Sequence, residues 1–477
     1  MFNLSPRLAA LGAGFFSYTR ATALSQAQLV HVNRELISQL KLEAVDDASL
    51  KDIISGQQAV QGYSSLAMVY AGHQFGHFVP QLGDGRALLI AEHMVADQVW
   101  ELQLKGAGKT PYSRSGDGRA VLRSSIREYL ASQALAKLNI PTTLAVAMVH
   151  SQDPVYREQL ETAAIVLRVA PSFIRFGNFE FFAKRQQAAE LAQLTQFVCR
   201  NYYPEINLDA ADYVVQFLDS VIKRTAATIA GWQSVGFVHG VMNSDNMSIL
   251  GLTIDYGPFA FMEAFNPEQI FNHSDSDGRY VYAQQVDSAW WNLYRLAEAL
   301  VILYPDTDLF EHTLTKFADY YNTEYQQLMA AKLGLLRFEA GDGGLLTELL
   351  ELLQRYAIDW TFFWRNLSFG EQGIALIKAS YPDAAFDTWL AKLALRYQGQ
   401  ELDELERNRA MQLANPALIL RTHLLQQAIN LAEQGDYSEV SRLFTALAIP
   451  FREQAEFADY YRLPPKWSQS IILSCSS

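Results

Sequence analysis

The sequence predicts an α+β fold of bilobal form, a small β-rich lobe followed by a larger helical one, with helical extensions at both ends. Three observations carry that expectation. Glycine-punctuated, alternating and β-branched runs crowd between about residues 70 and 170. One amphipathic stretch interrupts them, and beyond about residue 185 the apolar residues recur with helical spacing. The boundaries drawn from these shifts are 1–60 for an N-terminal extension, 61–177 for the small lobe, 178–400 for the large lobe and 401–477 for a C-terminal helical extension and tail.

Residues 1–60 predict one helix, around 26–40, and otherwise a wrapping segment. From Tyr70 the run A-G-H-Q-F-G-H-F-V-P-Q-L-G-D-G-R-A-L-L-I-A-E reads as a turn leading into a strand. The next run, V-W-E-L-Q-L-K at 99–105, puts Trp100, Leu102 and Leu104 on one face and Glu101, Gln103 and Lys105 on the other, so Lys105 ends a strand on its polar face. A loop rich in glycine and basic residues follows at 106–119, G-A-G-K-T-P-Y-S-R-S-G-D-G-R. A helix is expected over 121–138, with Leu122, Ile126, Tyr129, Leu130 and Leu138 near helical spacing and Pro141 stopping it. T-T-L-A-V-A-M-V and A-A-I-V-L-R-V-A complete the order strand, strand, helix, strand, strand, which is that of a protein-kinase N-lobe. P-S-F-I-R-F-G at 171–177 is then the approach to a hinge. Helices over 185–203 and 208–231, the run V-D-S-A-W-W-N-L-Y-R-L-A-E-A-L and several segments between 309 and 434 make a helical C-lobe, and the tail from Phe451 is expected to pack through Tyr460, Tyr461 and Trp467.

A net charge of −13 argues against nucleic acid or an anionic membrane as the main partner. Two cysteines, Cys199 and Cys475, are too few for a disulfide scaffold, the start M-F-N-L-S-P-R-L lacks a signal-peptide apolar core, and no apolar run approaches the about 18 residues of a membrane span. A reducing cytoplasmic compartment is the simplest expectation.

The chemistry concentrates at 239–257, H-G-V-M-N-S-D-N-M-S-I-L-G-L-T-I-D-Y-G. Kinase-like phosphotransferases follow a catalytic loop bearing an acid and an asparagine with a β-hairpin ending in a second acid, and the two loops hold metal on ATP. Here the position where such enzymes carry the base is Val241, which cannot accept a proton; the nearest acid is Asp245. Either the chemistry is dead or Asp245 serves a different version of it. G-A-G-K-T is not a P-loop, because Gln103 stands where its first glycine belongs. Two readings stay open for Glu128: partner of Lys105, or the closing residue of a capping box begun at Ser125. Asn246 with Asp255 suits Mg²⁺, although both types are also good turn formers. His239 reads as a loop brace, and Arg168 and Arg175 as either phosphate contacts or ordinary ion pairs.

Taken together, Q-F-G-H-F-V-P-Q-L-G-D-G-R, L-Q-L-K-G-A-G-K-T-P-Y-S-R-S-G-D-G-R-A-V-L-R-S-S-I-R-E, A-P-S-F-I-R-F-G, H-G-V-M-N-S-D-N-M-S-I-L-G-L-T-I-D-Y-G-P and the final C-S-S resemble the selenoprotein O (YdiU) family from about residue 60 onward. The resemblance implies a kinase-like fold that binds ATP inverted and transfers AMP to Ser, Thr or Tyr hydroxyls of proteins, with self-modification and UTP use as further expectations. Carried onto matching positions, it makes Gly83, Gly85, Arg86, Lys105, Asp117, Gly118, Arg168, Arg175 and Asp255 nucleotide-binding, with Glu128 positioning Lys105. It makes Asp245 the proton acceptor, and Asn246 with Asp255 the ligands of Mg²⁺ or Mn²⁺. Cys475 occupies the family's selenocysteine position; no cysteine lies between Asp255 and Arg295, which leaves Cys199 as the one intramolecular partner and mixed disulfides as the other redox route. The rival expectations are a catalytically silent nucleotide-binding scaffold and a conventional kinase-like phosphotransferase.

Overall fold

The computed structural model describes residue 4 and residues 6–474, so Cys475 lies outside the described residues. Its sheet combines β1 (Phe16–Tyr18), β2 (Gln28–Val32), β3 (Leu66–Met68), β6 (Ala87–Val95), β7 (Gln98–Lys105), β8 (Ala120–Val121), β9 (Leu144–Tyr156) and β10 (Leu160–Ala170). Their order is β1-β3-β6-β7-β10-β9-β2, antiparallel throughout, with the short β8 on β10. The hairpin of β4 (Gly72–Gln74) and β5 (His77–Val79) stands apart from this sheet.

One face of the sheet, including Leu102, Leu104, Ile165 and Leu167, packs on α1 (Arg34–Gln39) and α2 (Asp47–Ile54) through Leu36, Ile37, Leu50 and Ile53. The other meets α3 (Leu122–Lys137), whose Ile126, Tyr129 and Leu130 join a core with Met148 and Val166. The alternation in β7 therefore has a different outcome from a half-exposed strand: Glu101, Gln103 and Lys105 are buried as well. Phe173 N–H and the Tyr202 hydroxyl both donate to Glu101, which satisfies that carboxylate away from water.

The helix expected over 26–40 is corrected. Its first part is β2, pairing with β9 from Gln28↔His150 to Val32↔Ala147, and only α1 is helical, begun where Asn33 accepts from Leu36 N–H at 3.0 Å. The Q-L-V-H-V run carries two β-branched valines and takes the free edge of β9, so the first 60 residues contribute two edge strands to the sheet as well as α1 and α2.

The remaining chain is largely helical. α4 (Phe176–Lys184), α5 (Ala188–Tyr202) and α6 (Tyr213–Val235) lead to a two-stranded ladder, β11 (Phe237–Val238) with β12 (Ala260–Phe261), and the loops of residues 239–259 hang between its strands. α7 (Gln285–Leu300) and α8 (Thr307–Leu333) pack on α6. A third core around Trp360, Trp364 and Trp389 unites α9 (Asp342–Arg355), α10 (Trp360–Leu367), α11 (Gly370–Ser380), α12 (Ala384–Gln398) and α13 (Glu404–Ala414). α14 (Thr422–Ala432) and α15 (Ser438–Ala446) return to α3, where Phe444 stacks on Tyr129 at 5.2 Å. In the tail, Tyr460 is buried, while Trp467 is 44% exposed and packs edge-on to the buried His423 with ring centroids 6.2 Å apart. Cys199 is buried on α5, and burial pushes its thiol up to about 12, the chemistry of an inert core thiol. No helix among the described residues is long and apolar enough to cross a membrane.

Beneath the loop-bearing ladder, Trp360 contacts Gly236, where a Cβ would lie 3.2 Å from the indole. Lys332 is buried against Trp364 and Trp360, its ammonium 4.8 and 6.0 Å from the ring centroids, with no carboxylate in ion-pair range among the described residues. Burial lowers it from 10.5 to about 7. Between about pH 7 and 10.5 the folded chain thus favours the neutral amine where the unfolded chain protonates it. Its unfavourable contribution is absent above pH 10.5, grows as pH falls to about 7, and is constant below that. We expect Lys332→Met to raise the melting temperature at pH 7 through a gain on the order of a few kcal/mol. The gain should vanish as pH nears 10.5 in a pH series of thermal melts.

Candidate functional site

Residues from both parts of the chain line one cleft of ≈ 690 Å³. Gly83, Gly85 and Arg86 enter it from the turn before β6, and Asp117 and Gly118 from the loop before β8. That loop folds against its own beginning: Gly118 has φ +71°, and a Cβ there would sit 2.1 Å from the Gly108 carbonyl oxygen. Only glycine permits this crossing. Asp117 is held by both guanidinium nitrogens of Arg157, at 2.7 and 3.0 Å, and the hydrogen bonds to Arg157 depress its carboxyl. Arg86 is exposed at the cleft and makes no ion pair among the described residues, leaving a cation available to an incoming anion.

The cleft floor is a cluster of buried charges. Lys105 Nζ lies 2.8 Å from Glu128 Oε2 and 3.3 Å from Asp255 Oδ1. Arg168 Nη1 donates to Glu128 Oε1 and Asp255 Oδ1, both at 2.8 Å, and Arg175 Nη1 donates to Asp255 Oδ2 at 2.5 Å. This decides the reading of Glu128. The N-cap of α3 is Val121 with no side-chain cap, and Ser125 Oγ has no hydrogen-bond partner, so the pair with Lys105 stands and the capping box does not. Burial alone would raise both carboxylates, but Lys105 and Arg168 pull Glu128 below its usual range, and Arg175, Lys105 and Arg168 hold Asp255 far lower. Among the direct ion pairs three cations face two carboxylates, which leaves one positive charge over, and the buried Asp84 carboxyl acts on Arg175 and Arg168 without pairing directly. Asp255 itself sits at φ 54°, a left-handed conformation uncommon outside glycine, where these ion pairs hold it.

Asp245 and Asn246 form a single 3₁₀ turn on the facing wall. Burial pushes the Asp245 carboxyl up to about 7, against a hydrogen bond from Gln74 Nε2 at 3.1 Å. A carboxylate so placed can take up a proton near neutral pH. Arg175 also donates to the backbone oxygen of Asp245 at 3.0 Å. Val241 lines the cleft and is buried. His239 is a brace: its Nε2 donates to the Ile254 carbonyl at 2.9 Å, while Nδ1 accepts from Val241 N–H at 3.3 Å.

Among the described residues no group of three or more His, Cys, Asp or Glu side chains could cage a metal ion. The donor chemistry nevertheless fits Mg²⁺ or Mn²⁺. Asn246 spends its Nδ2 on the Val241 carbonyl at 3.0 Å, leaving its amide oxygen for the cleft, and Asp255 supplies a carboxylate whose remaining lone pairs a metal would share with Lys105, Arg168 and Arg175. Two protein oxygens suffice for an ion that takes its other ligands from phosphates and water.

Several lining residues had no role in the sequence reading: Gln74, Asp84, Tyr112, Arg157 and Asn243. Asp84, between two glycines, is buried and pushed up to about 6 by burial, and accepts from Met68 N–H at 3.0 Å. Its flanking glycines were the only available signal.

A family model described as protein adenylyltransferase SelO matches residues 1–448. The chain is similar to a protein nucleotidyltransferase YdiU of Cupriavidus pinatubonensis, 45% identical over 497 positions spanning 100% of this chain and 95% of the relative. A protein of the same description from Thiobacillus denitrificans is 47% identical over 476 positions, 97% of this chain and 96% of the relative. A third, from Klebsiella pneumoniae, is 46% identical over 472 positions, 97% of both.

Removing one member of the charge cluster leaves the others buried and unbalanced. We expect Asp255→Ala to destabilise the ligand-free protein by about 3 kcal/mol. Inorganic pyrophosphate should raise the melting temperature of the variant more than that of the parent, because the added anion replaces the lost counter-charge.

Proposed function

The chain belongs to the SelO family of protein adenylyltransferases, and from that premise we propose that it transfers AMP from ATP to a Ser, Thr or Tyr hydroxyl of a protein substrate, releasing pyrophosphate. We read the fold as kinase-like and bilobal, with the nucleotide bound between the sheet-bearing part and the helical part. The observation that carries the reading is the pairing of Val241 with Asp245. The cleft offers no acid at 241 to serve γ-phosphoryl transfer, yet buries an acid at 245 opposite a cluster of excess positive charge.

Each part of the cleft then has a task. Glu128 holds Lys105, and Lys105, Arg168, Arg175 and Arg86 bind and orient the phosphate oxygens. The substrate hydroxyl oxygen forms a bond to the α-phosphorus as the bond from that phosphorus to the bridging oxygen breaks. The hydroxyl proton passes to the Asp245 carboxylate, and the departing pyrophosphate carries the bridging electron pair, its charge met by the same cations. Mg²⁺ or Mn²⁺ held by Asn246 and Asp255 supplies further charge neutralisation on the phosphates when bound. The Asp117–Arg157 pair keeps the glycine-rich loop folded beside the nucleotide.

Labelled ATP separates the rival activities. Label at the α-phosphate should enter protein in the presence of Mg²⁺ or Mn²⁺, and label at the γ-phosphate should not; the reverse pattern establishes a kinase. Asp245→Ala should lower the transfer rate by about 10²–10⁴-fold. ATP affinity should survive, since Arg175 bonds the Asp245 backbone oxygen and not its side chain. Transfer at the parent rate would reject the assigned base, and ATP binding with no transfer by the parent would identify a scaffold.

A further inference from the structure

The β4–β5 hairpin, read in the sequence only as a turn, has no part in the chemistry above. Its register pairs Gly72↔Val79, His73↔Phe78 and Gln74↔His77, and its corner residues Phe75 and Gly76 both have positive φ, 48° and 85°. These are the torsions of a tight hairpin turn whose twist suits its strands. Its first strand, β4, lies along the loop that carries Asp245. His73 N–H donates to Ser244 Oγ at 2.7 Å, Gln74 Nε2 to Asp245 Oδ2 at 3.1 Å, and Phe75 N–H to Asn243 Oδ1 at 3.1 Å. Three consecutive hairpin residues thus grip three consecutive loop residues. The approach is so close that a Cβ on Gly72 would lie 2.7 Å from Asp245 Oδ1.

The hairpin is itself anchored. His73 Nδ1 lies 2.5 Å from the buried Glu180 Oε2, Ala71 N–H donates to the Gly177 carbonyl at 2.9 Å, and Phe75 packs on Tyr280. The Tyr280 hydroxyl donates to the same Asn243 oxygen at 2.9 Å. Within this frame Gln74 Nε2 is the one side-chain donor to the Asp245 carboxylate among the described residues; Asp245 Oδ1 is buried with no partner.

We propose that Gln74 is a positioning residue for the transfer reaction, its amide fixing the plane of the Asp245 carboxylate toward the attacking hydroxyl, with the β4–β5 hairpin as the clamp that holds it there. This inference rests on the adenylyl-transfer reading above and adds no chemical step to it. A base free to rotate about its terminal torsion spends only part of its time aimed at the proton, whereas a base held by one oxygen presents a fixed lone-pair direction. The effect falls on the rate at saturating nucleotide, because Gln74 bonds none of the cationic residues that would hold phosphates.

Gln74→Met preserves length and removes the donor; Gln74→Glu preserves shape and sets a carboxylate beside Asp245. The measurement is transfer from α-labelled ATP into a whole-cell protein extract, with ATP titrated at fixed extract, alongside ATP binding and thermal melts. The expected result is a ~10- to 100-fold lower maximal rate for both variants, with KM and Kd for ATP changed less than ~2-fold and the melting temperature unaltered. A maximal rate within ~2-fold of the parent in either folded variant overturns the proposal. A raised KM at unchanged maximal rate does so too, since it makes Gln74 part of the nucleotide wall. A rate loss that tracks a lowered melting temperature in both variants leaves a purely structural hairpin and also overturns it. Unaffected variants of an active parent sink this inference alone; an inactive parent sinks the adenylyl-transfer reading and this inference with it.

Discussion

The balance of charge around Asp255 is the constraint on which the rest of the site depends. Five segments meet there: β7 brings Lys105, α3 brings Glu128, β10 brings Arg168, the start of α4 brings Arg175, and the loop before β12 brings Asp255 itself. Arg168 and Arg175 are almost completely buried, and a guanidinium so placed is tolerable only with carboxylates in direct contact. The cluster therefore fixes the register of sheet against helices: a slide of any one segment would strand a charge. On the proposed reading, the cation left over in these direct pairs is what meets the phosphates of the nucleotide.

Around this cluster the functional loops have irregular backbone that must find its hydrogen bonds outside regular structure. Side chains supply many of them. Gln285 accepts from His239 N–H at 2.9 Å, Asn272 donates to the Gly240 carbonyl at 3.0 Å, and Asn292 donates to the Met242 carbonyl at 2.8 Å. The β4–β5 hairpin supplies the next partners along, at Asn243, Ser244 and Asp245. The loop is thus held along its length from the helical side and from the hairpin, and β11, β12 and Trp360 carry it from below.

Much of this was legible in the sequence, and the failures have physical reasons. Strands β6, β7, β9 and β10 and helix α3 show period and composition strongly enough to be read, and Lys105 ends its strand as expected. The 26–40 segment misled because an edge strand followed at once by a short helix blurs both periods, and the partner that selects the strand, β9, lies more than a hundred residues away. The polar face of β7 reads in sequence only as polar, since alternation does not distinguish a charge facing water from one facing a buried counter-charge. Gln74 and Asp245 are 171 residues apart and Asp117 and Arg157 are 40 apart, so neither contact leaves any local pattern.

The sequence by itself determined the central order of β6, β7, α3, β9 and β10 and the chemical types available: an acid with an asparagine, a second acid after a short apolar run, a strand-end lysine, and glycines where backbone must turn tightly. Those follow from local sterics and side-chain chemistry, which act over a few residues. Tertiary structure alone decided that Glu128 is an ion-pair partner and not a cap, that Arg168 and Arg175 are buried against Asp255 and not spread on a surface, and that Asp245 is pushed up to about 7 with one oxygen held by Gln74. Each of those outcomes depends on removing a charge from water and on what then stands within about 3 Å of it. That is a property of segments brought together from across the chain, and no single segment contains it.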